Sequence, residues 1–183
     1  MKFEKRIAGL ILALILAANM LNLSAVVSQA TYNGTFQFDE NGKFTVMQVA
    51  DIQDDKDVDT RVISVLTQSI ARYSPDLVVF TGDNVIETIA TETNFHSSVD
   101  DFLAPLLSTN TKFAVTFGNH DDQGVGAPDK QDQYAYYLLA GGSNFVDHDV
   151  TALDGVGSGV IPIYPNGQSS GTPAYQVYLM DSG

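Results

Sequence analysis

Three short apolar runs, each followed directly by polar residues, form the strongest pattern in this chain. They occupy residues 46–51, 77–83 and 113–121, and each ends in a carboxylate. The second run does not alternate between apolar and polar positions, which is typical of a strand covered on both faces. Helical periodicity lies between the runs. The order strand, helix, strand, helix, strand therefore predicts an α/β fold with a parallel sheet and right-handed crossovers.

The two helices between these strands are predicted from apolar spacing and from their ends. The first covers about residues 60–73 and is stopped by Ser74-Pro75. The second is amphipathic, and Ser97 or Ser98 is expected to cap its first turn.

The regions on either side of these units are predicted from turn residues and alternation. Residues 31–50 have the pattern of a β-hairpin with an asparagine-glycine turn. Towards the carboxyl end, residues 131–139 predict a short helix, and residues 160–164 and 174–180 predict two strands.

The first thirty residues are predicted to be a secretory signal peptide, separate from a single domain over residues 31–183. Three basic residues precede a nearly continuous apolar segment at 7–23, and Ser28-Gln-Ala30 has the small residues of a cleavage site. An uncleaved membrane anchor is the alternative, because the segment approaches the length that spans a bilayer. We expect cleavage after Ala30, so that the membrane is contacted only if the signal segment stays attached.

Composition narrows the class of protein. The chain has 183 residues, of which 44% are hydrophobic, and this is enough for a folded core. It has no cysteine, which excludes disulfides and, for an exported chain, favours a bacterial protein that is secreted or held at the cell surface or in the periplasm. The formal charge is −13, and removing residues 1–30, whose net charge is +2, would leave −15. A field of this sign repels phosphate backbones, so no nucleic-acid-binding surface is expected.

The polar residues at the three strand ends are candidate metal ligands. Asp51, Asp83 and Asn119 follow successive strands, and open α/β sheets bind ligands at the carboxyl edge of their strands. Oxygen ligands suit divalent or trivalent cations, and a carboxylate can bridge two of them. Two such ions activate water and stabilise the charge of an in-line displacement, so the pattern favours phosphoester hydrolysis. Simple turns after core strands would not account for three occurrences of the same arrangement, in which polar residues directly follow an apolar run.

The motifs at these strand ends resemble a known family. Asp51-x-Gln53, Gly82-Asp83-Asn84 and Gly118-Asn119-His120-Asp121 are similar to the first three blocks of the calcineurin-like metallophosphoesterases, and residues 74–84 are similar to a branch grouped with the purple acid phosphatases. The resemblance covers about residues 43–122. It implies a four-layer α/β/β/α sandwich and a centre of two divalent or trivalent ions, which would be iron, zinc, manganese or magnesium.

The same resemblance implies a role for each matched residue. The implied metal ligands are Asp51, Gln53, Asp83 and Asn119. Asp83 would bridge the two ions. His120 would contact the phosphate or protonate the leaving oxygen, and Asp121 would orient its ring.

The sequence departs from the family pattern in two ways. Gln53 stands where family members have histidine, and an amide oxygen binds softer cations less well. The family also supplies histidine ligands from Gly-His and Gly-His-x-His blocks, which these 183 residues do not contain. His96 and His148 lie outside such motifs and are expected to be solvated loop residues.

Together these patterns predict an exported, metal-dependent hydrolase of phosphomonoesters or phosphodiesters. Because the histidine blocks are missing and the chain stops directly after an apolar strand, we expect it to hold the amino-terminal half of the sandwich, incomplete at its carboxyl end. One alternative is a non-catalytic exported protein that binds metal or phosphate with a remnant of that fold. Another is a truncated product that does not fold stably.

Overall fold

The computed structural model describes residues 34–86, 88–89, 91–150 and 152–181, which lie in one compact unit. The predicted signal peptide and its cleavage site lie outside the described residues. The strands are β1 (Phe36–Gln37), β2 (Val46–Val49), β3 (Leu77–Phe80), β4 (Phe113–Val115), β5 (Gly159–Tyr164) and β6 (Tyr175–Leu179). The helices are α1 (Thr60–Tyr73), α2 (Glu92–Ser108) and α3 (Lys130–Gly141), which a short 3-10 turn follows at Gly142–Asn144.

Two three-stranded sheets organise these elements. The first has the order β2-β3-β4, and all of its strands pair in parallel. The second has the order β1-β5-β6, in which β1 and β5 are parallel and β5 and β6 form an antiparallel hairpin. The parallel sheet with helical crossovers confirms the prediction from the order of strands and helices.

The residues of β3 show how the layers pack. Val78 and Phe80 belong to the core cluster formed with the helices, whereas Leu77 and Val79 belong to the cluster between the two sheets. Successive side chains of a strand point to opposite faces, so one apolar strand can contribute to two cores. The described residues thus form a helical layer, a parallel sheet and a second sheet. This confirms the α/β class and the expected amino-terminal part of an α/β/β/α sandwich.

The prediction of a β-hairpin over residues 31–50 is wrong. A turn does form, in which the Gly42 N–H donates to the carbonyl of Asp39 at 3.0 Å, but the strands on either side lie in different sheets. Phe36 packs between the sheets, whereas Met47 and Val49 pack against the helices. β1 pairs with β5 and β2 pairs with β3, so the two strands do not pair with each other.

The helix boundaries follow from caps, and the start of α2 departs furthest from the prediction. α1 has the predicted bounds. α2 begins earlier than expected, because the hydroxyl of Thr91 accepts a hydrogen bond from the Asn94 N–H at 3.2 Å, and Ser98 lies buried within the helix. None of the helices in the described part of the chain is long and apolar enough to cross a lipid bilayer.

Candidate metal centre

The loops that follow β2, β3 and β4 lie side by side at the carboxyl edge of the parallel sheet. The Asp51 N–H donates to the carbonyl of Gly82 at 3.1 Å, and the Gln53 N–H donates to the carbonyl of Asp83 at 3.0 Å. The pairing continues as a parallel bridge between Asp54 and Val85. The first two predicted ligand loops are therefore joined by backbone hydrogen bonds.

Three of the predicted ligand positions have an unusual backbone. Asp51, Gln53 and Asp83 have φ values of 54°, 42° and 52°. The left-handed region is sparsely populated by residues other than glycine, and such conformations cluster at functional sites. Among the described residues, only Ser74 and Asn110 share this property, so most of the strained non-glycine positions lie at this one sheet edge.

Two glycines allow the loops after β3 and β4 to approach closely. A Cβ atom at Gly82 would lie 2.1 Å from the backbone nitrogen of Gly118. A Cβ atom at Gly118 would lie 2.3 Å from Oδ1 of Asp83. The carboxylate of Asp83 thus sits against bare backbone, in a space that any other residue at position 118 would fill.

The loops after β3 and β4 are also joined by two carboxylates, one from each loop. Oδ1 of Asp83 accepts a hydrogen bond from the His120 N–H at 2.9 Å. Oδ2 of Asp121 accepts from the Asp83 N–H at 2.8 Å and from the Gly118 N–H at 2.7 Å, and its Oδ1 accepts from the Asn84 N–H at 2.9 Å. Each loop therefore supplies an acceptor for the backbone of the other.

Asp121 is buried at this junction, with 2% of its surface exposed. Burial raises the pKa of its carboxyl group above the usual value, and the nearby charge of Asp83 acts in the same direction. The three backbone N–H groups act in the opposite direction, because they stabilise the carboxylate.

The ring of His120 has a different partner from the one expected. Its Nδ1 lies 3.0 Å from Oε1 of Gln123, whose own amide nitrogen donates to the carbonyl of Asn119. The carboxylate of Asp121 points to buried backbone donors instead, so the expectation that it orients the His120 ring is wrong. Gln123 carries no recognisable sequence signal, since it lies in a polar loop of ordinary composition.

The donor set at this edge suits a hard cation but is only part of a metal centre. The predicted ligands Asp51, Gln53, Asp83 and Asn119 offer carboxylate and amide oxygens, the donors that divalent cations such as magnesium and manganese accept. Within the described residues, no group of three or more His, Asp or Glu side chains is arranged to hold a metal ion. The chemistry of these oxygen donors therefore suits a divalent cation, but the described residues supply only part of a ligand set.

The other two histidines are not the solvated loop residues that the sequence suggested. His96 lies in α2, and its ring stacks on Tyr136 with the ring centroids 3.5 Å apart. His148 is buried, and its two ring nitrogens lie 2.9 and 3.0 Å from the carbonyl oxygens of Val146 and Gly157. Both side chains have structural contacts away from the three loops.

Comparison with known proteins gives a family match over most of the chain. The model of the calcineurin-like phosphoesterase family matches residues 44–182. A protein named probable inactive purple acid phosphatase 14, from Arabidopsis thaliana, is 30% identical over 103 residues, which are 48% of this chain and 25% of that protein. Phosphatase DCR2 from Saccharomyces cerevisiae is 25% identical over 159 residues, which are 78% of this chain and 27% of that protein. The chain thus spans about a quarter of the length of these relatives.

Proposed function

The chain belongs to the calcineurin-like phosphoesterase family, and on that basis we propose that it hydrolyses phosphoesters with metal ions held at the carboxyl edge of its parallel sheet. The observation that carries the proposal is the junction of three strand-end loops, in which strained backbone and reciprocal hydrogen bonds bring the predicted ligands to one edge. Such strain is retained where the surrounding structure enforces it, and this is common at functional sites.

In this proposal the oxygen donors hold two divalent or trivalent ions. Asp51 and Gln53 would bind the first ion, Asn119 would bind the second, and Asp83 would bridge them. When bound, such ions lower the pKa of a coordinated water and neutralise charge on the phosphate. The Asp83 carboxylate would be held in place for this role. Oδ1 of Asp83 accepts a hydrogen bond from the His120 N–H, and the missing side chain of Gly118 leaves the space that this oxygen occupies.

His120 is proposed to act on the substrate. Oε1 of Gln123 can only accept a hydrogen bond, so Nδ1 of the ring is the donor in that contact. Nε2 is then the nitrogen that would contact the phosphate or give a proton to the leaving oxygen. Gln123 would hold the ring in the required tautomer, which is the role that the sequence had suggested for Asp121.

The test is to titrate the 183-residue chain with Mn²⁺ and Zn²⁺ and to assay hydrolysis of p-nitrophenyl phosphate and bis-p-nitrophenyl phosphate. Asp83→Ala is expected to abolish binding of both ions and nearly all turnover, because a bridging ligand serves both. Asp154→Ala is the control, since it removes an exposed carboxylate that lies outside the three strand-end loops. Retention of normal metal content and turnover by Asp83→Ala would overturn the bridging role.

The second candidate function is binding of metal or phosphate without catalysis. It is favoured by the donor set, in which the described residues offer no imidazole cluster, and by the word inactive in the names of the purple acid phosphatase relatives. Binding of Mn²⁺ or inorganic phosphate with no detectable turnover of either ester would support this function over the first. We also propose that the chain acts outside the cytoplasm, because its first thirty residues have the pattern of a signal peptide.

A further inference from the structure

A group of buried polar side chains lies around Asp121, and the proposed chemistry does not use it. Gln133 of α3 has no exposed surface, and its amide nitrogen donates to the carbonyls of Asp121 and Pro128. Asn84 is equally buried, and its backbone N–H donates to the Asp121 carboxylate. Tyr137, one turn further along α3 than Gln133, is also fully buried.

This group is costly for the stability of the fold. In the described part of the chain, Oε1 of Gln133, both polar side-chain atoms of Asn84 and the hydroxyl of Tyr137 are buried without a hydrogen-bond partner. Burying an unpaired polar group is unfavourable, and apolar side chains of similar size would pack at lower cost. Their presence around one carboxylate indicates a requirement other than stability.

The hydrogen bonds of Asp121 indicate what this requirement is. Its Oδ2 binds the backbone of Asp83 and of Gly118 at once, so this single atom sets the separation of the two loops. Asp83 and Asn119 are proposed ligands on those loops, and ligand geometry tolerates shifts of only about half an ångström. The carbonyl of Asp121 is in turn held by Gln133, which lies on a helix rather than on a loop.

We propose that Asp121 is a positioning residue that holds the two ligand loops in register, and that Gln133 is the second positioning residue, which anchors Asp121 to α3. The carboxylate does not reach substrate, because it is buried and both of its oxygens accept backbone hydrogen bonds. This role rests on the proposed function, since register matters only if the loops bind metal together.

The chain offers a matched control for Gln133. Asn144 is also a buried amide whose nitrogen donates to two backbone carbonyls, those of Leu106 and Thr111. Asn144 lies beside the start of β4, because Thr111 precedes that strand and Phe145 forms a bridge to Phe113, whereas the three loops follow strand ends. Gln133→Leu and Asn144→Leu therefore remove equivalent contacts, and only the first is connected to the proposed ligands.

The experiment combines hydrogen exchange with Mn²⁺ titration on the full chain. In Asp121→Asn, the amide protons of Asp83, Asn84 and Gly118 are expected to exchange at least tenfold faster. The NH₂ group of asparagine replaces one of the two carboxylate oxygens, and it cannot accept a hydrogen bond from a backbone N–H. Gln133→Leu is expected to weaken Mn²⁺ binding about tenfold, the lower end of the effect of losing a group outside the ligands themselves, because Asp121 loses its anchor on α3 and holds the Asp83 loop less firmly. Asn144→Leu is expected to lose similar stability to urea while its Mn²⁺ affinity stays within twofold of the parent chain.

The outcomes separate this inference from the proposed function. Equal losses of Mn²⁺ affinity in Gln133→Leu and Asn144→Leu would assign Gln133 a merely structural role and overturn its part. Unchanged exchange in Asp121→Asn would overturn the part of Asp121. If the parent chain bound neither Mn²⁺ nor Zn²⁺, the proposed function would fail. Faster exchange in Asp121→Asn would then show a contact between two loops that hold no metal, which also overturns the positioning role.

Discussion

Gln53 has a left-handed backbone within the loop that follows β2, and its side chain is exposed. Histidine tolerates this region better than most residues, so the backbone does not forbid an imidazole here. We predict that Gln53→His raises Zn²⁺ affinity roughly tenfold with little change for Mg²⁺, because imidazole suits zinc better than an amide oxygen does. Competition with a zinc chelator measures the change.

A second substitution controls for the added histidine itself. Gln68→His places an imidazole on the exposed face of α1, away from the three loops, and is expected to leave Zn²⁺ affinity unchanged. An equal increase in both variants would show that Gln53 does not face the metal site.

The position of a candidate residue after a strand could be predicted from the sequence, whereas contacts through space could not. An apolar run followed by a carboxylate predicts that Asp51 and Asp83 follow strands, and they follow β2 and β3. The role of Asp121 depends on backbone donors 37 and 38 positions earlier, which leave no local pattern. The burial of His148 is likewise set by the carbonyls that surround it.

At the level of elements, caps decide where the helices begin. Thr91 caps α2 with its hydroxyl, whereas Ser97 lies exposed within the helix. We predict that Thr91→Ala lowers the free energy of unfolding by about 1 kcal/mol, because an N–H of the first turn loses its acceptor. Urea unfolding followed by circular dichroism measures the loss.

Ser97→Ala distinguishes this cap from the one that the sequence suggested. Alanine favours the helix interior over serine, so this change is expected to be neutral or slightly stabilising. A loss of about 1 kcal/mol in Ser97→Ala, with none in Thr91→Ala, would place the helix start where the sequence analysis put it.

The elements that the sequence predicted well are those whose signal is local. The bounds of α1 follow from apolar spacing and Ser74-Pro75, and the parallel sheet follows from the order of strands and helices. The hairpin at residues 31–50 failed because the partner of β1 is β5, more than one hundred residues later in the chain. A turn signal shows that the chain reverses there, but it does not show which strands then pair.

At the level of the whole molecule, a buried ion pair connects the helical layer to the end of the second sheet. Nζ of Lys130, at the start of α3, lies 2.9 Å from Oδ1 of Asp181, and the two side chains are 9% and 5% exposed. We predict that Lys130→Met lowers the free energy of unfolding by about 3 to 5 kcal/mol, because the buried Asp181 carboxylate loses the cation that it pairs with here. Chemical denaturation measures the loss.

The double substitution tests whether the lost charge interaction is the cause of the destabilisation. Asp181→Asn removes the charge and keeps an acceptor for the Val156 N–H, which Oδ2 of Asp181 now binds at 2.9 Å. The combination of Lys130→Met with Asp181→Asn is therefore expected to be more stable than Lys130→Met alone. If the two losses simply add, the pair is not coupled and burial of apolar surface explains the effect.

Export is the remaining property of the whole chain, and it is predicted by residues 1–30. If these residues are a cleaved signal, the protein recovered from the periplasm or medium of a bacterial host should begin at Thr31, which intact mass and amino-terminal sequencing would show. Leu14→Arg interrupts the apolar segment and is expected to leave the uncleaved chain in the cytoplasm. Full-length protein in the membrane fraction would instead favour the anchor. Cleavage also makes the chain more negative, since the signal carries a net charge of +2, and the exported domain would then be repelled by anionic lipid surfaces.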